Sequence, residues 1–442
     1  MMDRNDNGTK RLSRRRFLVR GAAAAGAGLA MPYVIPSDVL AQAGQPGAND
    51  RIGVAYIGAG RRAKGLMGLP KEGQIVAVAD CNLPRAQEVA EQRKCTAYQD
   101  YREMLERDDV DAVVVSSPDH WHTLHCIHAC QAGKDVYCEK PMTLTIREGR
   151  LLVQAVRKYE RVFQTGSQQR SQAPNRTGCE LIRNGRLGKV HTVLGANYPS
   201  PWNCALPEQP VPDGLDWDAW CGQTQVVPYN KDIYTPRANP GWISFRPWSG
   251  GEMTGWGSHG LDQVQWALGM DETGPVEMWT EGPPFDPPTY TQPASRAEGD
   301  AICGKPTVYF RYANGVVLKL GGGPGGGAVF IGDAGKMTVD RGRFTAEPPE
   351  LGEPLEEPEV RLYVSDNHLQ NWFDCMKSRE RPVADVEIGH RSATVCHLGN
   401  IARWLGRRLR WDPEREVFPE DAEANALLTR PQREPYRIPD PV

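Results

Sequence analysis

Two residues in this chain carry chemistry suited to moving a proton at a hydroxyl. Lys140 follows the apolar run Asp135-Val136-Tyr137-Cys138 and sits between Glu139 and Pro141. Beside a hydroxyl, an ammonium can orient the oxygen and stabilise an alkoxide as hydride leaves the carbon. A partly buried lysine can also have its pKa lowered enough to exchange the proton. His259 lies in Gly255-Trp256-Gly257-Ser258-His259-Gly260-Leu261-Asp262, at the start of a helical run. Asp262, three residues on, shares a helix face with it, so its carboxylate is expected to orient the imidazole. Taken alone, a lysine at a strand end is more often a solvated charge, and a histidine at a helix start a cap or a packed ring.

A second set of residues points to a dinucleotide. The segment RIGVAYIGAG (51–60) is a strand that runs straight into glycines, in the pattern Gly58-x-Gly60-x-x-Ala63. Gly58 would allow the tight turn, Gly60 would let the backbone approach a pyrophosphate, and Ala63 would let helix and strand pack closely. A second strand, QIVAVAD, ends in Asp80, placed to accept hydrogen bonds from the adenosine ribose hydroxyls and to disfavour a 2′-phosphate. NAD is therefore favoured over NADP. Arg61 and Arg62 would either meet the pyrophosphate or compensate a phosphate.

These residues need a frame that alternates strands and helices. Val110 to Ser116 reads as a buried parallel strand, HTLHCIHACQAGK as a helix ending near Gly133, and DVYC as the next strand. The fold class is α/β: a doubly wound parallel sheet of Rossmann type over 51–170. A second, α+β domain over 171–442 carries strands such as TVYFRY, VVLKLGG and AVFIGD in an open, mainly antiparallel sheet. The run GGGPGGGA (321–328) lacks the Lys-Ser/Thr ending of a phosphate loop and reads as a turn between strands. His120, His122, His125, Cys126, His128 and Cys130 crowd one helix, but their spacing lacks the usual ligand pairs, and no metal is expected.

Ser117-Pro118-Asp119-His120-Trp121-His122, Gly133-Lys134 and Glu139-Lys140-Pro141 resemble the paired signatures of the Gfo/Idh/MocA oxidoreductases. FQTGSQQRS (163–171), GLDWDAWCG (214–222), GWGSHGLDQVQWALG (255–269) and DVEIGHRSATVCHLGNIA (385–402) extend the likeness to an exported bacterial branch over nearly the whole mature chain. The resemblance implies that Gly58, Gly60, Arg61, Arg62, Asp80, Ser117, Pro118, His122, Glu139 and Lys140 meet a nicotinamide dinucleotide. Lys140, His259 and Asp262 become the catalytic candidates, with His259 also a substrate anchor. Such proteins usually carry an aspartate four residues before the histidine; here that position is Gly255, so either Asp262 or Glu252 substitutes, or the proton relay differs. The family's open sheet face implies a homo-oligomer, a dimer or tetramer.

A polyhydroxylated ligand needs many directional hydrogen bonds, which Gln168, Gln169, Arg170, Asn197 and Tyr198 are expected to supply. Trp202, Trp242, Trp248 and Trp256 lie in Gly/Pro-rich stretches and could serve as platforms for pyranose rings.

Ser13-Arg14-Arg15-Arg16-Phe17-Leu18 precedes a Gly/Ala-rich apolar stretch that closes with Val39-Leu40-Ala41. This is the pattern of a signal peptide of twin-arginine type over 1–41, with Pro32 and Pro36 arguing against a lasting helix. Such signals imply that the chain meets the twin-arginine machinery already folded, its cofactor tightly bound, and works in the periplasm or elsewhere outside the cytoplasm. The body of the chain has no apolar run of the roughly 18 residues a membrane span needs. With 442 residues and a formal net charge of −3, it has the size of two domains and no basic footprint for nucleic acid. The 11 cysteines include no Cys-x-x-Cys and are expected to be mostly free, with a bridge or two possible among Cys179, Cys204, Cys221 and Cys303.

The first reading is thus an exported NAD(P)-dependent oxidoreductase passing hydride between nicotinamide and a sugar, polyol or glycoside. The alternatives are a redox-assisted glycoside hydrolase or lyase working through a transient 3-keto intermediate, and a nucleotide-loaded carbohydrate-binding protein without turnover.

Overall fold

Short runs rich in Val, Ile and Ala build the first sheet, because strands covered on both faces need no polar alternation. Its strands are β1 (Ile52–Ile57), β2 (Gly73–Ala79), β3 (Thr96–Tyr98), β4 (Ala112–Val115), β5 (Asp135–Cys138) and β6 (Phe163–Thr165). They stand in the order β3-β2-β1-β4-β5-β6, every neighbouring pair parallel. The order reverses between β1 and β4, so the loops leaving those strands part and open a crevice at their carboxyl ends. The computed structural model describes residues 51–235, 241–287, 289–292 and 305–442; the expected signal segment 1–41 and Cys303 lie outside them.

The helices between these strands start where capping residues stand. Asn82 accepts from the Arg85 amide to open helix Leu83–Arg93, and Thr145 accepts from the Glu148 amide to open helix Ile146–Lys158. Helix Asp119–Gln131 begins after Pro118 and is buried along most of its length. One face of the sheet is covered by a cluster that includes Leu124, Ile127, Leu151 and Leu152. The other face is covered in part by Trp372 and Phe373 of helix His368–Ser378. The expected division at 170 therefore separates the sheets but not the packing: a helix from the second half closes the first sheet, because its aromatic face has Val54, Tyr56 and Val78 to bury against.

The second sheet holds β7 (Val190–Gly195), β8 (Glu277–Glu281), β9 (Thr307–Arg311), β10 (Val317–Leu320), β11 (Ala328–Gly332), β12 (Gly335–Asp340), β13 (Arg343–Glu347) and β14 (Leu409–Arg410). Their order is β13-β12-β11-β7-β10-β9-β8-β14, antiparallel except for β7 with β10. Inward residues alternate with half-exposed ones along β9 and β11, and helices Ala173–Arg183, Gly257–Leu268 and Val386–Leu405 contribute to the core on that inner side. The glycine run 321–328 joins β10 to β11, as a turn between strands should.

Segment 199–235 and 241–250 forms an aromatic satellite around Trp217, Trp220, Tyr229, Phe245 and Trp248. Backbone bonds from Leu83 N to the Gly214 carbonyl (3.0 Å) and from Asp216 N to the Cys81 carbonyl (2.9 Å) tie it over the carboxyl end of β2. The ten described cysteines, Cys179, Cys204 and Cys221 among them, are free.

Candidate active site

The loops after β1, β2, β4 and β5 converge on a cavity of about 570 Å³, within the range usual for small-molecule sites. Gly58 turns the chain at φ +94°, and a Cβ there would stand 2.9 Å from the Ser117 backbone nitrogen, so the β1 and β4 loops can approach only with glycine in place. Gly60 differs: a Cβ built on it meets nothing within 4 Å and projects into open space. Asp80 Oδ2 accepts from the Ala59 amide (2.9 Å) and Oδ1 from the Asn82 amide (2.9 Å), which fixes the carboxylate at the cavity wall. A glycine turn, an open cradle beside it and an anchored acid at the next strand end fit a dinucleotide. Gly58, Gly60, Arg61, Arg62 and Asp80 would hold its phosphates and ribose.

Arg62 Nη2 donates to Glu139 Oε1 at 2.6 Å, and Gln168 Nε2 donates to the same oxygen at 2.9 Å and to Tyr137 Oη at 2.8 Å. Glu139 is nearly buried, so its charge organises these two side chains on the cavity floor. His122 joins the two signature loops. One ring nitrogen lies 2.7 Å from the Pro141 carbonyl and the other 2.8 Å from the Ser117 carbonyl. Carbonyls only accept, so both nitrogens must donate and the ring is an imidazolium. Burial works against that charge, but the Cys138 sulfur and the Asp119 carboxyl outweigh it and hold the ring above its ordinary value. The Ser249 hydroxyl donates to Asp119 at 2.7 Å, and burial raises that carboxyl to about 6 against the pull of His122 and Lys140.

At the other end of the cavity, Lys140 Nζ donates to the Gly255 carbonyl at 2.8 Å. His259, in the first turn of helix Gly257–Leu268, packs edge-on against Trp256 with ring centroids 5.7 Å apart. Both side chains line the same cavity as Gly58, Gly60 and Asp80. An ammonium, an imidazole and a dinucleotide cradle thus share one compartment. Ser117, Pro118, His122, Glu139 and Gln168 line it as well.

Five expected site residues, Arg170, Asp262, Gln169, Asn197 and Tyr198, do not. Arg170 is 1% exposed; its Nε lies 2.9 and 3.0 Å from the Asp262 oxygens, and its Nη2 2.7 Å from Asp271. Ser392 Oγ also donates to Asp262 (2.8 Å), so that carboxylate is committed to a buried ion pair and does not orient His259. The chain forms a 3-10 turn over Gln168–Ser171, which sends Gln168 into the cavity and Arg170 into the core. Gln169, one residue between them, donates to the Gly326 carbonyl. Asn197 accepts from Arg403 and donates to the Lys305 carbonyl, and the Tyr198 hydroxyl donates to the Gly325 carbonyl; both brace the second domain instead of facing a ligand. Of the four tryptophans, Trp242 and Trp256 line the cavity, whereas Trp202 and Trp248 are core.

Sequence reasoning also missed several wall residues. Arg85 lies 3.8 Å from Asp80 and stacks over Tyr234, and Arg341, from the turn between β12 and β13, lies over Trp256. Tyr101, Trp121 and His125 make an aromatic box, with Trp121 and His125 stacked 4.5 Å apart. No local spacing announces Tyr234 or Arg341, since both arrive from distant elements; of these wall residues only Trp121 stands inside a recognised signature, and His125 stands only within the His/Cys cluster. The helix 119–131 histidines are individually occupied: His120 donates to the Trp220 carbonyl and His128 meets the Tyr101 hydroxyl.

Comparison with known proteins bears on this geometry. The model of an NAD-binding Rossmann fold from the Gfo/Idh/MocA oxidoreductase family matches residues 52–167, and that of the family's C-terminal alpha/beta domain matches 187–438. Among curated relatives, 2,7-anhydro-N-acetylneuraminate hydratase of Mediterraneibacter gnavus is 31% identical over 142 residues, 31% of this chain and 37% of that protein. Myo-inositol 2-dehydrogenase of Thermotoga maritima is 31% identical over 129 residues, 29% of this chain and 39% of that protein. The matched segment thus spans less than half the length of these curated relatives. The WlbA dehydrogenase of Bordetella pertussis, solved with NADH and UDP-GlcNAcA, shares the fold at a TM-score of 0.58 and 18% identity, over 82% of this chain and 99% of that one.

Proposed function

This chain belongs to the Gfo/Idh/MocA oxidoreductase family, and from that premise we propose that it oxidises a CH–OH group of a sugar, polyol or glycoside to the carbonyl, or reduces that carbonyl back, with a tightly held nicotinamide cofactor. One observation carries the reading: Lys140 and His259 line the same cavity as Gly58, Gly60 and Asp80. Bound nicotinamide supplies the hydride acceptor or donor. The protein's own part is to orient the substrate hydroxyl and move its proton. Lys140, anchored by the Gly255 carbonyl, would face the hydroxyl and stabilise the negative charge that develops on its oxygen. His259, which lines the same cavity, holds or takes up the proton. The ring faces of Trp242 and Trp256, with Gln168 and Arg341, suit a polyhydroxylated ring. Asp80, anchored by two backbone amides, favours the ribose of NAD over that of NADP.

Export by the twin-arginine route and work outside the cytoplasm belong to the same proposal and rest on residues 13–41. So does a homo-oligomer formed through the outer face of the second sheet, where Trp279 and Tyr309 stack 5.2 Å apart.

A second reading, cleavage of a glycoside by transient oxidation, is favoured by Gly255, which removes the expected aspartate, and by the hydratase among the relatives. One screen separates them. Purified holoprotein is mixed with sugars, polyols and aryl glycosides while absorbance near 340 nm and aryl release are followed. A lasting rise at 340 nm with a sugar supports the dehydrogenase; aryl release with no net reduction supports the second reading. Absence of any bound or bindable dinucleotide refutes both.

A further inference from the structure

We propose that Glu252 positions the Lys140 ammonium in place of the missing residue-255 carboxylate, by occupying the space that Gly255 leaves. The inference deepens the oxidoreductase reading and rests on it. A Cβ built on Gly255 would lie 2.7 Å from Glu252 Oε2, 3.5 Å from its Cδ and 3.3 Å from Ile243 Cδ1. The carboxylate of Glu252 therefore stands where the side chain of residue 255 would begin. The same residue's carbonyl accepts from Lys140 Nζ at 2.8 Å, which brings ammonium and carboxylate to one peptide unit. Glu252 and Gly255 are the ends of one helical turn, i and i+3, and such residues share a face. Asp119 reports on the same neighbourhood: its buried carboxyl is pulled down by Lys140 and pushed up by Glu252. Asp262, the other candidate, is excluded because Arg170 and Ser392 hold it.

The arrangement makes two side chains mutually exclusive. A β-carbon at 255 displaces the Glu252 carboxylate, and without it the ammonium loses one of the carboxylates in its neighbourhood. Glu252 acts through Lys140 and is a positioning residue.

The test uses holoenzyme and a sugar found to reduce its cofactor. Glu252→Gln, isosteric and uncharged, is expected to lower the single-turnover rate about 10²-fold. Gly255→Asp alone is expected to lower it as well, by collision with Glu252. The double variant Glu252→Ala/Gly255→Asp, which moves the charge to the other position, is expected to return the rate to within about tenfold of the parent. A merely structural role would leave Glu252→Gln active and would give no rescue. A second readout needs no sugar: the pH profile of trace acetylation at Lys140, read by mass spectrometry. Lys140 should titrate at lower pH in Glu252→Gln and recover in the double variant. The other charged or titratable groups lining the cavity, Asp119, His122, Glu139, His259 and Arg341 among them, are unchanged in these proteins. An unaltered acetylation profile in Glu252→Gln overturns the proposal. If the profile moves but no sugar reduces the parent's cofactor, the oxidoreductase reading fails and the Glu252–Lys140 pairing stands.

Discussion

Arg170 and Lys140 are both cations in signature segments, yet their surroundings give them opposite uses. Arg170 is buried between Asp262 and Asp271, with no face toward the cavity. Replacing it with methionine strands two carboxylates, and breaking such a buried pair costs about 3–5 kcal/mol. Arg170→Met should therefore lower the unfolding free energy by that amount in urea titrations, while any surviving folded protein still binds dinucleotide. Lys140 and His259 were legible in the sequence because their motifs fix them to a strand end and a helix start. Arg170, Asn197 and Tyr198 were not, because a polar side chain near a site turns outward or inward according to a partner far off in the sequence. For Asn197 that partner is Arg403.

At the scale of elements, buried neutral histidines fasten helices to neighbouring elements: a short helix, a strand end and a loop. His120 donates to the Trp220 carbonyl, His368 to the Thr165 carbonyl and His397 to the Thr143 carbonyl. Burial is the largest cause holding them down, to about 3 for His120 and about 4 for His368 and His397. Each folded value lies below the roughly 6.5 of an exposed imidazole, so the unfolded chain binds protons that the folded chain refuses. These groups leave stability unchanged above about pH 7. Below 6.5 each one removes about 1.4 kcal/mol per pH unit until the pH reaches its folded value. Urea unfolding between pH 7 and 5 should show stability falling steeply toward acid, and His397→Asn should reduce the proton uptake on unfolding by about one. A flat profile over that window would contradict neutral burial. Strand and helix types were readable from apolar runs and caps. The docking of helix His368–Ser378 onto the first sheet was not, because its aromatic face names no partner.

Over the whole molecule, the sequence order of the two domains is crossed in space at the cofactor end. Trp220 and Tyr234 of the aromatic satellite, together with Tyr436 near the C-terminus, share the cavity wall with Asp80, Tyr101 and Trp121. Arg433 bonds to the Thr224 carbonyl, linking tail and satellite. A dinucleotide beneath such a cover would exchange slowly, which agrees with the proposal that the cofactor is retained through export. The parallel sheet, the glycine turn and the second sheet could be read from residue patterns; this cover could not, since it is assembled from loops with no periodicity. The most direct measurement is single-turnover reduction of bound cofactor by a responsive sugar, in the parent and in Lys140→Ala. Loss of the 340 nm transient by about 10²-fold or more, with the dinucleotide still bound, is the predicted result. A transient of unchanged rate in Lys140→Ala would contradict the account.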